Sequence, residues 1–250
     1  MENQIRREKY PNSKLVNVSF EIRFFPLLEI DLNIVQFQAK IRESLPNYRI
    51  EKAFASTYDL GKVQEMTVHI FDSEVQELSL RITNSNFIFQ TKKYETFEIF
   101  KKKIEEYTNK FFSQFKSIKE IIFIGLRYTN DFEFKGENFN LNKFIEYFNL
   151  GLDSAKIISN NINNFRLEQT YQIEDSKFKL FSGLQTDTKY NKIFFTIDLD
   201  SNMSNKKIDI DKLGNWLNIH HKNIKKEFES IITEKLRDEI LRKSEVSNGE

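Results

Sequence analysis

Residues 16 to 24 repeat with a period of two. Val16, Val18, Phe20, Ile22 and Phe24 share one side, and Asn17, Ser19, Glu21 and Arg23 share the other. That period belongs to a strand with one face in a core and one in water. Pro26 ends the strand. Ile34, Phe37, Ile41 and Leu45 then recur at helical spacing, which predicts a helix over residues 33–45 stopped by Pro46. Four strands are predicted next, at 54–59, 62–71, 75–83 and 87–92. Gly61, Asp72-Ser73 and Asn84-Ser85 are the expected turns. An amphipathic helix follows over 94–115, with Phe97, Ile104, Tyr107, Phe111 and Phe115 on its buried side.

The order then restarts. The sequence predicts a strand over 120–134, a short helix over 140–148, and strands at 165–173, 178–187 and 192–199. A long C-terminal helix is predicted over 209–241, with a break expected near 218–220. Both halves read as strand, helix, several strands, helix. The expected fold class is α+β, with two similar subdomains, each an antiparallel sheet packed against a long helix. The expected division is 1–117 and 118–250, fused as one rigid body because no Pro/Gly/Ser-rich linker separates them.

Composition narrows the chemistry. The 250 residues include no cysteine and three histidines, which excludes disulfides, thiolate metal sites and cysteine nucleophiles. The formal charge is +1, with Lys and Glu interleaved along the helices, so nucleic acid is an unfavoured partner. No run of about 18 apolar residues occurs, so no membrane partner is expected. The charged start lacks a leader's apolar stretch, and the expected location is the cytoplasm.

Three blocks carry a resemblance. The first is Tyr10-Pro11, leading to Phe20-Glu21-Ile22-Arg23-Phe24. The second is Gly125-Leu126-Arg127-Tyr128-Thr129-Asn130. The third is His220 or His221 followed by Phe228, Ile232-Thr233 and Lys235-Leu236-Arg237. Together they resemble a sporadically distributed family of uncharacterised prokaryotic proteins of similar length. That resemblance implies an accessory gene, of the kind carried by mobile elements and phage-defence systems. It implies no catalytic residue.

Two constellations are candidates for chemistry. Arg23 and Arg127 hold matching places in the two opening strands and could converge on an anion or nucleotide, with Glu21 on the same face as Arg23. The competing account makes each arginine a structural ion pair. Asp198 and Asp200, two apart on one strand face, could join Asp187 around a Mg²⁺ ion for phosphoryl transfer or nuclease chemistry. The competing account is a solvated strand edge. His220 and His221 are adjacent, so a helix turns them about 100° apart and away from a shared metal. One of them is expected to be a satisfied, partly buried packing residue.

No polar set stands at catalytic spacing. The leading expectation is therefore a non-catalytic binding or assembly protein without a cofactor, possible in antiviral defence. Its partner would be a protein, either itself or one encoded in the same operon. The alternatives are the metal-dependent enzyme and the anion or nucleotide sensor. The binding reading requires an exposed apolar patch.

Overall fold

The computed structural model describes residues 9–56, 63–135, 141–151, 164–173, 175–187 and 192–243. The first half runs β1 (Leu15–Phe24), α1 (Glu29–Ile41), β2 (Asn47–Ser56), β3 (Val63–Ser73), β4 (Leu78–Ile82), β5 (Asn86–Thr91) and α2 (Phe97–Gln114). The second runs β6 (Ile121–Lys135), α3 (Leu141–Tyr147), β7 (Asn164–Ile173), β8 (Ser176–Asp187), β9 (Lys192–Ile208), α4 (Leu213–Ile231) and the short α5 (Glu234–Leu236). The protein is thus a mixed helix and sheet structure of the α+β kind.

All nine strands form one antiparallel sheet in the order β2-β3-β4-β5-β1-β6-β9-β8-β7. In each half the last strand of the meander returns beside the opening strand, β5 beside β1 and β9 beside β6. The opening strands then pair with each other. Phe20 lies opposite Leu126, Glu21 opposite Gly125 and Ile22 opposite Ile124. The two halves expected from the sequence therefore share a single sheet. They also share one buried core, because Phe20 and Leu126 belong to the same cluster as Phe111 on α2 and Leu217 on α4.

The alternation in β1 explains the layering. Val18, Phe20, Ile22 and Phe24 are buried, whereas Asn17, Ser19, Glu21 and Arg23 are not. Among the described residues, the helices bury their apolar sides in the cluster on the first of these faces. The other face of the sheet carries no described helix and is polar. No described helix is long and apolar enough to cross a membrane.

Several elements differ from the sequence expectation. Helix α1 begins at Glu29, one turn earlier, with Glu29 and Asp31 at its positive end. Residues 47–53 are strand, although no β2 residue joins the core. Asp72 and Ser73 close β3, and the turn falls at residues 74–77. Strand β9 continues through polar residues to Ile208. The predicted strand end at residues 57–59 and the turn at Gly61 lie outside the described residues.

The C-terminal helix breaks later than expected, at Ile232 and Thr233, both extended in backbone conformation. Here the chain leaves the helix to bond the end of α3. Asn149 N donates to Ile231 O at 2.6 Å and Thr233 N donates to Tyr147 O at 3.0 Å. Thr233 then caps the next turn, its hydroxyl accepting from Leu236 N at 3.3 Å and donating to Glu146 O at 2.6 Å. Thr233→Ala is expected to lower unfolding free energy by about 1 kcal/mol, measured by urea denaturation. Thr233→Ser should restore most of it. Equal stability of all three would show that the cap contributes nothing.

Candidate functional site

Glu21, Arg23, Arg127, Asp198 and Asp200 lie on the open sheet face. Arg23 Nε donates to Glu21 Oε1 at 2.6 Å, and its guanidinium lies 4.3 Å over the ring of Phe123. Gly125 makes room for that ring, since a Cβ there would come 3.0 Å from Phe123 Cε1. The arrangement recurs in β7 and β8, where Arg166 lies 4.9 Å over Phe181 and a Cβ on Gly183 would come 2.9 Å from that ring. Arg127 Nε donates to both oxygens of Asp198, at 2.8 and 2.9 Å, and its Nη2 also bonds Asp198. That carboxylate raises the arginine's pKa further.

The two arginines do not converge. Arg23 is opposite Phe123, four residues along β6 from Arg127, a step of roughly 13 Å at strand rise. Each guanidinium already holds a carboxylate. The three aspartates do not converge either. Asp198 and Asp200 share a face of β9, but Asp187 pairs in register with Lys192, six residues along β8 from Phe181, the partner of Asp198. That is roughly 20 Å, and the side chain of Asp187 lies outside the described residues. Among the described residues no three His, Asp or Glu side chains form a group able to hold a metal ion.

A shallow concavity of about 580 Å³ surrounds Arg127, Asp198 and Asp200. Arg166, Lys179, Asp131 and Glu168 also line it, so its charge is a mosaic of both signs. Burial raises the pKa of Asp200. A phosphate backbone needs an excess of free cations, and this face does not offer one.

A second concavity is on the opposite face, where the halves meet beneath the helices. A cleft of about 310 Å³ opens between α2 and α4 over the central strands. Its polar elements form a chain. Tyr94 and Tyr128 hydroxyls lie 3.2 Å apart, and the Tyr128 hydroxyl lies 2.9 Å from Nδ1 of His221. Phe97 at the start of α2 stacks on the His221 ring, with centroids 3.9 Å apart. The chain joins β5's exit, β6, α2 and α4, and so ties the halves together. Asn130, only 6% exposed, lies two residues beyond Tyr128 on the same face.

The rim joins the three blocks of the resemblance. Tyr10 donates to Glu229 Oε2 at 2.9 Å and accepts from Arg237 Nε at 3.0 Å. Arg237 also donates to the carboxylate and carbonyl of Glu229, at 2.9 and 2.7 Å. Tyr128 and His221 belong to the other blocks. The chain matches no family model and no curated protein.

The cleft is suited to binding. Burial lowers the His221 pKa to about 4, helped by Lys225. Burial also raises Tyr128 well above the ordinary phenol range and Tyr94 to about 12. All three groups are neutral at neutral pH. No carboxylate orients the histidine, so the arrangement lacks a triad's polarisation. His220 faces the other way. It bonds Ser176 and Ser201 hydroxyls at 3.1 and 2.6 Å and stacks on Trp216, a satisfied packing histidine.

Sequence reasoning passed over Tyr94, Tyr128 and Asn130. The signal was present in the parity of β6. If Arg127 faces outward, Tyr128 must face the core, and a buried tyrosine hydroxyl calls for a polar partner.

Proposed function

We propose that the protein is a non-catalytic binding and assembly protein, and that its partner is a second copy of the chain. The observation behind this is an apolar shoulder at one end of the sheet. Leu28, Leu32, Val35 and Ala39 stand at i, i+4, i+7 and i+11 on the outer side of α1, the spacing of a helix-pairing seam. Leu32 is 78% exposed. Beside α1, the edge strand β2 leaves Ile50 54% and Phe54 70% exposed, with no β2 residue in the core. His69 joins the two parts, bonding Asp31 of α1 at 2.8 Å and Tyr48 of β2 at 3.0 Å.

The shoulder contains both a convex apolar helix and a floor that lacks a helix. Two copies related by a two-fold axis could each cover the other's bare part. Together with Phe25 and Tyr48, these side chains leave roughly 900 Å² in water, near the ~800 Å² that each partner of a standard interface buries. The repeated route of the two halves supports reading them as like subdomains fused at β1 and β6. An accessory role in a defence or mobile-element system, in the cytoplasm, is compatible with assembly and assigns no residue.

Analytical ultracentrifugation tests the reading. The protein is expected to sediment as a dimer at about 50 µM, and Leu32→Glu with Val35→Glu as a monomer. The double variant should still unfold in one cooperative transition, its melting temperature lower only by the stabilisation that dimerisation gives the wild type. A monomeric wild type at that concentration, or a dimer that survives the double substitution, would overturn it. Each outcome follows from a standard-sized apolar interface.

A further inference from the structure

The cleft between the halves contains polar groups with unused bonding capacity. His221 uses Nδ1 on Tyr128, and among the described residues its Nε2 has no partner. Asn130 Nδ2 lies 3.5 Å from Ile197 O, the long contact to which its amide end is assigned. Its Oδ1 has no partner among the described residues. A neutral imidazole carries a single proton. The Tyr94–Tyr128–His221 chain can run in either direction; run from Tyr94 through Tyr128 to Nδ1, it leaves that proton on Nε2. The cleft then offers one donor, His221 Nε2–H, and one acceptor, Asn130 Oδ1.

Leu15, Phe97, Ile224 and Phe228 supply apolar and aromatic lining beside these groups. The volume of about 310 Å³ is at the small end of ligand pockets. The rim balances Lys9, Lys14 and Lys225 against Glu95, Glu98 and Glu229, so it neither attracts nor repels a neutral molecule. An anion entering by the first turn of α2 meets Glu98 there.

We propose that this cleft binds a small uncharged heteroaromatic ring that presents a donor and an acceptor on one edge. Adenine has the required complement. Its exocyclic amine donates where Asn130 Oδ1 accepts, and a ring nitrogen accepts from His221 Nε2. The ring would lie among side chains from both halves. The bound molecule would brace α2 against α4 across the junction. This binding is independent of the shoulder and of whether the chain assembles.

Isothermal titration of the full chain with adenine, toluene and AMP tests the proposal, repeated on three variants. Adenine is expected to bind. Toluene, which shares the flat apolar body and lacks the edge, should bind at least about tenfold more weakly. AMP should bind no more tightly than adenine, since the rim's three lysines and three glutamates give its phosphate no net attraction. Asn130→Leu and His221→Phe should each weaken adenine about tenfold or more. Ser13→Trp places a bulky ring at the mouth from an exposed position, so it should block adenine without lowering the melting temperature. That variant decides the matter if the two buried substitutions fail to fold. Absence of adenine binding up to millimolar concentration would overturn the proposal. So would toluene binding equal to adenine, tighter binding of AMP, or adenine binding unaffected by Ser13→Trp.

Discussion

Phe111→Ala is expected to lower unfolding free energy by about 3–5 kcal/mol, the range for emptying a buried phenylalanine site. Phe111 is fully buried on α2. Its ring centroid lies 5.7 Å from Phe24 on β1, 5.7 Å from Phe37 on α1, 5.0 Å from Phe87 on β5 and 4.9 Å from Phe115. Rings from β1, α1 and β5, and from the end of α2 itself, therefore meet on one side chain. A cavity left there cannot close by moving one helix, because three of its walls belong to other elements. The tilted and edge-on ring pairs add roughly 0.5–1.5 kcal/mol each beyond area burial. Urea denaturation measures the loss, and the midpoint should fall with the slope unchanged. A loss under about 1.5 kcal/mol would mean that the rings close over the gap. The shared core also predicts that the variant unfolds in one transition; separate loss of the N-terminal half would show that the halves are not coupled through the sheet.

The elements around that core were legible because their periodicity is local. Phe97, Ile104, Tyr107 and Phe111 recur at helical spacing and are all buried. The alternation of β1 identified which of its side chains share a face. The sequence does not encode locally which strand lies next to which. The pairing of β1 with β6 joins residues more than a hundred positions apart, and it turns two expected sheets into one. The break at Thr233 likewise depends on Tyr147 and Glu146, far away in sequence. β2 was read short because residues 47–53 contribute nothing to a core, and burial is what makes alternation conspicuous.

The candidate site was legible in part for the same reason. Parity placed Glu21 and Arg23 on one face of β1, while the expected convergence of Arg127 with Arg23 rested on the repeated order of the halves. Neither could show that this face carries no described helix, nor that Asp198 would occupy Arg127. The register of β8 against β9 separates Asp187 from the other aspartates. The reading of α1 counted Ile34, Phe37 and Ile41, its buried stripe. The second stripe of Leu28, Leu32 and Val35 was equally visible in spacing and is the one that remains exposed.

Acid should destabilise the protein through its two adjacent helix histidines. Burial lowers the folded-state pKa of each from 6.5 to about 4. Between those values the unfolded chain binds protons that the folded chain does not. The stabilisation is complete above pH 6.5 and is lost as pH falls toward 4, by at most roughly 3 kcal/mol for each histidine. The cause lies in the surroundings. His220 faces the hydroxyls of Ser176 on β8 and Ser201 on β9 and the ring of Trp216. Those hydroxyls could hydrogen-bond an imidazolium, but none of them carries a charge to offset it. His221 faces the Tyr128 hydroxyl and the Phe97 ring, with Lys225 opposing a proton and Glu98 favouring one. Titrating carboxylates will also erode stability below pH 5, so the measurement must be a difference. Urea midpoints from pH 7.5 to 4.5 should fall more steeply for the wild type than for His220→Phe, even though the variant starts lower for want of its two hydroxyl bonds. Parallel slopes would show that His220 takes up its proton in the folded state and that Ser176 and Ser201 are solvated enough to let it.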